Sequence, residues 1–253
     1  MKIGFCAKLD MISEVAAAGF DYIEPSVTSV QHLTDEEIGV YCQKMEEALI
    51  SAPSFNVLFP KDMELLQADP QEIYSYLDGA LARVRKLGGR VVVFGSGKSR
   101  MRPESMHYDD AFRRLAGVTR MIGDIAGKYG ITIVIEPLNR GETNMINSVA
   151  EGACLRAMVS HPSVQLLADY YHIAVEHQPP EDLARLQGIW HAHIATEIGR
   201  KVPVERDEGY VSMLRAMKAT GYQGLLSVEG KSDDLSQDGP RSVALLRQLW
   251  EEA

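Results

Sequence analysis

The sequence predicts an α/β protein, a single (β/α)8 barrel domain spanning residues 1–253, and three observations carry that expectation. Eight short apolar, β-branched segments alternate with longer amphipathic ones, which implies a parallel sheet. Eight units in this length give about 32 residues each, the size of one β–α module. The Gly-rich phosphate loop of a doubly wound open sheet is missing near the N-terminus. Its nearest equivalent, Phe94-Gly95-Ser96-Gly97-Lys98, lacks the Walker spacing and reads as a tight turn after a strand.

The expected strands are Lys2–Cys6, Tyr22–Pro25, Ser54–Leu58, Arg90–Phe94, Thr132–Glu136, Val164–Ala168, Trp190–Ile194 and Gly224–Glu229. Runs such as Val91-Val92-Val93-Phe94 are apolar on both faces, as strands buried under helices are. The helices between them have legible ends. Thr34 and Glu37 form a capping box ahead of Ile38, Tyr41, Met45 and Leu49 at helical spacing. Asp69-Pro70 starts the next helix and Gly88-Gly89 stops it. Gly130 closes a helix that begins near Asp109, and Gly221 one that begins near Glu208.

Composition narrows the function classes. The chain is 45% hydrophobic and 24% charged with a formal charge of −9, and its basic residues are scattered. A protein that neutralises phosphates with a basic stripe looks different, so nucleic acid and anionic membrane surfaces are excluded as main partners. No apolar run reaches the roughly 20 residues that cross a bilayer, and no signal-peptide pattern precedes Lys2. Cys6, Cys42 and Cys154 are an odd, widely spaced set, expected as buried or incidental thiols in a cytoplasmic protein. Oligomeric state is not encoded in any motif; a homodimer or homotetramer is the default for such barrels.

In a barrel, the carboxyl ends of the strands share one mouth. Four consecutive strands bring an ionisable group there: Glu136, Asp169, His193 and Glu229, separated by 33, 24 and 36 residues. Any one of them could be a salt-bridged strand end. Three carboxylates converging with an imidazole would repel one another, and a divalent cation removes that repulsion. Mn²⁺ is the leading expectation, with Co²⁺, Mg²⁺, Fe²⁺ or Zn²⁺ compatible with the donors. His191 shares a strand face with His193 but lies deeper, so it is expected behind the site or in the core. His32, His107, His161 and His177 are expected in solvated loops or helix ends. Cys6, Glu24, Asn56 and Ser96 are candidates for the pocket wall by position alone, and packing roles suit them equally.

At these residues the chain resembles the xylose isomerase-like TIM barrel superfamily, within it the sugar (phosphate) isomerase/epimerase group and its ketose 3-epimerases of the D-tagatose and D-psicose type. Glu136-Pro137-Leu138-Asn139-Arg140-Gly141-Glu142 is similar to the strand-five signature, Asp169-Tyr170-Tyr171-His172 to an Asp-x-x-His motif, and His191-Ala192-His193 to a His-x-His motif followed by Arg. Gly221-Tyr222-Gln223-Gly224 leading to Glu229 is similar to the closing strand. The resemblance implies a carbohydrate isomerase that takes a small sugar. It implies that Glu136 and Glu229 are also the acid/base pair, working through a cis-enediolate, and that Glu142, His172 and Arg200 contact the substrate. The arginine is offset by one residue from the epimerase pattern, so Lys201 is its alternative.

Hydroxypyruvate isomerase shares several of these motifs, and an inosose dehydratase-like lyase is a third enzyme reading. The continuation Asn139-Arg140-Gly141-Glu142 favours the ketose epimerases. An endonuclease IV-like DNA repair role needs further histidines after strands three and four, where Asn56-Val57-Leu58-Phe59 and Val93-Phe94-Gly95 stand instead. A non-catalytic metal-binding barrel is the remaining alternative; four protein ligands on a six-coordinate cation would leave it open to substrate, unlike a closed structural site.

Overall fold

A computed structural model describes residues 1–253. Its eight strands are β1 (Lys2–Cys6), β2 (Tyr22–Glu24), β3 (Ser54–Phe55), β4 (Val91–Phe94), β5 (Thr132–Ile135), β6 (Val164–Asp169), β7 (Ile189–Ile194) and β8 (Leu225–Val228). All ladders are parallel, in the order β2-β1-β8-β7-β6-β5-β4-β3. The barrel closes between β2 and β3 through the bridges Tyr22↔Ser51 and Ser26↔Asn56. The predicted α/β architecture and all eight strand positions are present.

The nine α-helices are α1 (Ile12–Ala17), α2 (Val27–Val30), α3 (Asp35–Glu47), α4 (Pro70–Lys86), α5 (Tyr108–Lys128), α6 (Val149–Val159), α7 (Tyr170–Val175), α8 (Glu208–Ala219) and α9 (Leu235–Glu252). Thr34 caps α3 in the reciprocal box with Glu37, and Asp69 caps α4 by accepting from the Gln71 amide. No helix is long and apolar enough to cross a membrane.

Strand alternation divides the protein into two environments. One set of side chains, including Ile3, Ile23, Phe55, Phe94, Ile135, Leu166, Ile194 and Val228, joins the large core under the helices. The alternate set points into the barrel. Val91, Val93, Val134 and Leu167 form a small apolar plug there. Above the plug, the same parity sends Cys6, Glu24, Asn56, Glu136, Asp169, His193 and Glu229 toward the carboxyl-terminal mouth. The parity is strict. A one-residue slip in any of these strands would exchange a site residue for a core aliphatic.

Two expectations need correction. Strand three ends at Phe55 rather than Leu58, because Val57 adopts a left-handed φ of 46° and the Phe59 amide bonds the Ser96 hydroxyl instead of a ladder partner. His161 is not solvated: its side chain is 14% exposed and lies 3.2 Å from Asp124 on α5. The three thiols are free, Cys6 and Cys42 partly buried and Cys154 exposed, within the expectation of buried or incidental thiols.

Candidate metal centre and substrate pocket

β5 ends one residue before Glu136, β6 ends on Asp169, β7 carries His193 and β8 ends one residue before Glu229. Register places Asp169 beside His193 and His193 beside Ser227, so Asp169 and His193 arrive level on adjacent strands and Glu229 stands two residues further toward the mouth on β8. One ligand atom from each of Glu136, Asp169, His193 and Glu229 lies within 4.8 Å of every other. Donors bonded to one cation at about 2.0–2.3 Å can stand at most about 4.6 Å apart, so this spacing is the size of a single-ion site.

Three buried atoms in the cluster have no hydrogen-bond partner: Glu136 Oε1, Asp169 Oδ2 and His193 Nδ1. Such orphans are rare in native interiors and demand a reason. For Asp169 and His193 the neighbouring contacts explain why these atoms, and not their twins, are free. Asp169 spends Oδ1 on the Tyr171 amide, capping α7, which leaves Oδ2 for the cavity. His193 directs Nε2 at Glu24 Oε1, 2.8 Å away, which sets that nitrogen as donor and turns Nδ1 to the cavity. Burial opposes protonation of the ring, but Glu24 and Glu229 overcome it and raise its pKa well above the usual range, so a proton competes with a cation for Nδ1. Glu136 Oε1 and Glu229 Oε2 flank Nδ1 at 3.5 and 3.3 Å. The residues fit a divalent cation.

Glu24 is the residue that sequence reasoning undervalued. It is fully buried, and its carboxylate accepts from His193, from His191 Nε2 at 2.8 Å, from Ser54 Oγ at 2.6 Å and from Ser227 Oγ at 2.5 Å. Burial opposes its ionisation, but His193 and His191 overcome this and hold the carboxyl well below its usual range. His191 is thus behind the site, as expected, orienting the carboxylate that orients His193. The signal for Glu24 was available: it too stands at a strand's carboxyl end.

Burial without full compensation perturbs the other acids. Asp169 is pushed up to about 7 by burial and then by the Glu136 charge. Burial also raises Glu136. It opposes ionisation of Glu229 as well, but His193 and Arg200 overcome it and bring that carboxyl down to about 2.

The structure places the remaining predicted residues around this centre. His172, on α7, is buried; its Nδ1 accepts from the Asn139 amide at 3.0 Å and lies 2.9 Å from Asn139 Nδ2. Its Nε2 has no hydrogen-bond partner and stands 3.6 Å from Asp169 Oδ2. Burial and the nearby Arg200 lower its pKa to about 3, so it is a neutral N–H donor aimed into the cavity. Arg200 reaches Glu229 at 2.5 Å and Glu142 at 3.1 Å and lies over the Tyr171 ring. Lys201 is exposed and bridges Lys231 through its backbone, so Arg200 is the basic group that enters.

Two cavities meet at Arg200 and Glu229. One, about 380 Å³, is bounded by Asn56, Ser96, Glu136, Leu138 and Glu142; the other, about 340 Å³, by Cys6, Glu24, Ser26 and Asn56. All four pocket-wall candidates therefore line this mouth. A larger cavity, about 820 Å³, opens at the opposite end near Trp190, Thr220 and Tyr222, and its walls hold no carboxylate or imidazole. The acids and imidazoles gather at the other mouth. Gly95 is required there: a Cβ would fall 2.0 Å from Glu136 Oε2. Arg100, also unforeseen, is fully buried and ties the ends of β4 and β5 by donating to the carbonyls of Phe94 and Glu136.

The xylose isomerase-like TIM barrel family model matches residues 12–249. The chain belongs to that family. Among similar curated proteins, an L-ribulose 3-epimerase of Mesorhizobium japonicum is 24% identical, with 94% of this chain and 81% of that protein covered. A D-psicose 3-epimerase of Agrobacterium fabrum is 25% identical over 86% of this chain and 77% of its own length. Among solved structures, a D-psicose 3-epimerase determined in the presence of D-fructose superposes with a TM-score of 0.89, at 21% identity and 99% coverage of both chains.

Proposed function

We propose that this chain is a divalent metal-dependent sugar epimerase acting on a ketose or related hydroxyketone, with residues 1–253 working as one barrel domain. It is an isomerase. The observation that carries the reading is the approach of both Glu136 and Glu229 to His193 Nδ1, at 3.5 and 3.3 Å. They enter from β5 and β8, with β6 and β7 between them. A substrate carbon held between two such carboxylates has one on each face.

A cation held by Glu136, Asp169, His193 and Glu229, with Mn²⁺ favoured by the mixed oxygen and imidazole donors, would supply Lewis acidity to the substrate's carbonyl and adjacent hydroxyl. One glutamate removes the proton alpha to the carbonyl. The other delivers a proton to the opposite face of the resulting enediolate, and the carbon inverts. Return of the proton to the neighbouring carbon would give aldose–ketose isomerisation instead, so substrate register selects the outcome. His172 Nε2–H donates to a substrate oxygen, its tautomer set by the two Asn139 donors. Arg200 and Glu142, joined to each other, hold hydroxyls further along the sugar. The epimerase relatives named above support the substrate class.

The test is deuterium uptake. The metal-reconstituted protein is incubated in D₂O with a panel of ketoses and with hydroxypyruvate. Uptake at C3 of a ketose is the expected result, and uptake only with hydroxypyruvate would overturn it. Glu136→Gln and Glu229→Gln each abolish exchange while the circular dichroism spectrum stays that of the folded barrel; substantial residual exchange in either refutes the two-base assignment.

A further inference from the structure

Charges around the pocket are divided unevenly. On the β5–β8 side the acids face cations of the protein: Arg200 pairs with Glu142 and Glu229, and Glu136 and Glu229 approach His193. On the β3–β4 side stand Lys61 and Lys98, which line the same cavity as Glu136 and Glu229. Neither has an acidic partner; the one lysine ion pair in the chain is Lys86 with Asp35, on the outer helices.

The loops that carry the two lysines are tied to each other. Lys61 follows Phe59-Pro60 after β3, and Lys98 lies in the turn after β4. The Phe59 amide donates to Ser96 Oγ at 3.0 Å, Ser99 Oγ donates to the Pro60 carbonyl at 2.7 Å, and the Leu65 amide donates to the Ser99 carbonyl at 2.8 Å. Ser96 takes a left-handed φ of 39° to make this junction. The carboxylates that line the same cavity, Glu136, Glu142 and Glu229, face Arg200 and His193 and form no ion pair with either lysine. Lys8 and Lys231 edge the adjoining cavity in the same unpaired state. A chain of net charge −9 thus carries a cationic rim at its catalytic mouth, which concentrates anions there.

We propose that the substrate carries an anionic group, a carboxylate or a phosphate, at the end remote from the reacting carbon, and that Lys61 and Lys98 hold it. This rests on the epimerase reading above and names the substrate class for that site. A charge-assisted contact from each lysine is worth roughly a tenfold gain in affinity for the anionic substrate.

Deuterium exchange is measured at low salt on the metal-loaded full chain with a ketohexose, its 6-phosphate and the matching hexulosonate. One anionic substrate is expected to exceed the neutral ketose at least tenfold in kcat/KM, and the winner identifies the anion. The double variant Lys61→Gln/Lys98→Gln brings that ratio to within about threefold, whereas Lys44→Gln, on the outer face of α3, leaves it intact. Equal turnover of neutral and anionic sugars overturns the proposal. So does a preference that survives the double variant, or one lost only in Lys8→Gln/Lys231→Gln. If no sugar exchanges at all, the epimerase reading has failed, and calorimetric titration with the same 6-phosphate and ketose decides separately. Preferential phosphate-ester binding that disappears in Lys61→Gln/Lys98→Gln sustains the anion site; indifferent binding sinks it.

Discussion

Replacing Glu24 by glutamine tests whether the deep carboxylate builds the metal centre. The substitution preserves shape and removes the charge. Four donors converge on the carboxylate: two imidazole N–H groups at 2.8 Å and the hydroxyls of Ser54 and Ser227. Charge-assisted hydrogen bonds are about twice as strong as neutral ones, so each of the four weakens by about 1 kcal/mol. Whichever way the amide turns, its NH₂ also faces at least one imidazole N–H. Partial relief comes from burying a neutral group instead of an ion. The expected net loss of stability is about 3 kcal/mol, a fall in Tm of roughly 6–10 °C for a chain of this size. The functional effect is larger than the structural one. Without an anion behind it, His193 becomes a poorer ligand and its tautomer is no longer held, so divalent-cation affinity falls about 10- to 100-fold. Calorimetric titration with Mn²⁺ measures the affinity, and ¹⁵N spectra of the imidazoles report the tautomer. A variant that binds Mn²⁺ within twofold of the parent, with Nδ1 of His193 still unprotonated, would refute the reasoning.

Gly95→Ala places a methyl group 2.0 Å from the present position of Glu136 Oε2. The carboxylate must move, so kcat is expected to drop at least 100-fold, with a stability loss of about 1–3 kcal/mol read by urea denaturation. Asn139→Ala removes one donor to His172 Nδ1 and keeps the backbone one, so KM rises several-fold while kcat falls less; a change in kcat alone contradicts a substrate-orienting role for His172. Metal affinity should also depend on pH. Asp169 is held at about 7 in the metal-free protein, and a cation requires its carboxylate, so binding releases protons and strengthens as pH rises from about 5.5 to 7.5. Titrations in buffers of different ionisation enthalpy measure the release, and pH-independent affinity with no proton release would count against the assignment. Chelation should lower Tm, and Mn²⁺ at 100 times its Kd should restore about 2.7 kcal/mol.

Much of this molecule can be read from its one-dimensional pattern, because the information is local. Apolar runs of strand length, the caps at Thr34 and Asp69 and the stops at Gly130 and Gly221 specify elements through interactions within a few residues. Period-two alternation then puts Glu136, Asp169, His193 and Glu229 on one face of their strands, and closure of an eight-stranded barrel brings those faces to one mouth. What the pattern leaves open are properties that depend on distance between segments remote in the chain. Glu24 and His193 stand 169 positions apart, and only the closed barrel shows that one sets which nitrogen of the other faces the cavity. Arg200 was separable from Lys201 only once the loop after β7 had been placed, since a one-residue offset in an irregular segment has no periodicity to correct it. The lysines of the β3 and β4 loops are unremarkable in sequence, and their meaning comes from the hydrogen bonds that join those loops and from the acids they lack. The residues proposed to supply the chemistry were visible in order of appearance; which of their atoms face the cavity was decided by packing.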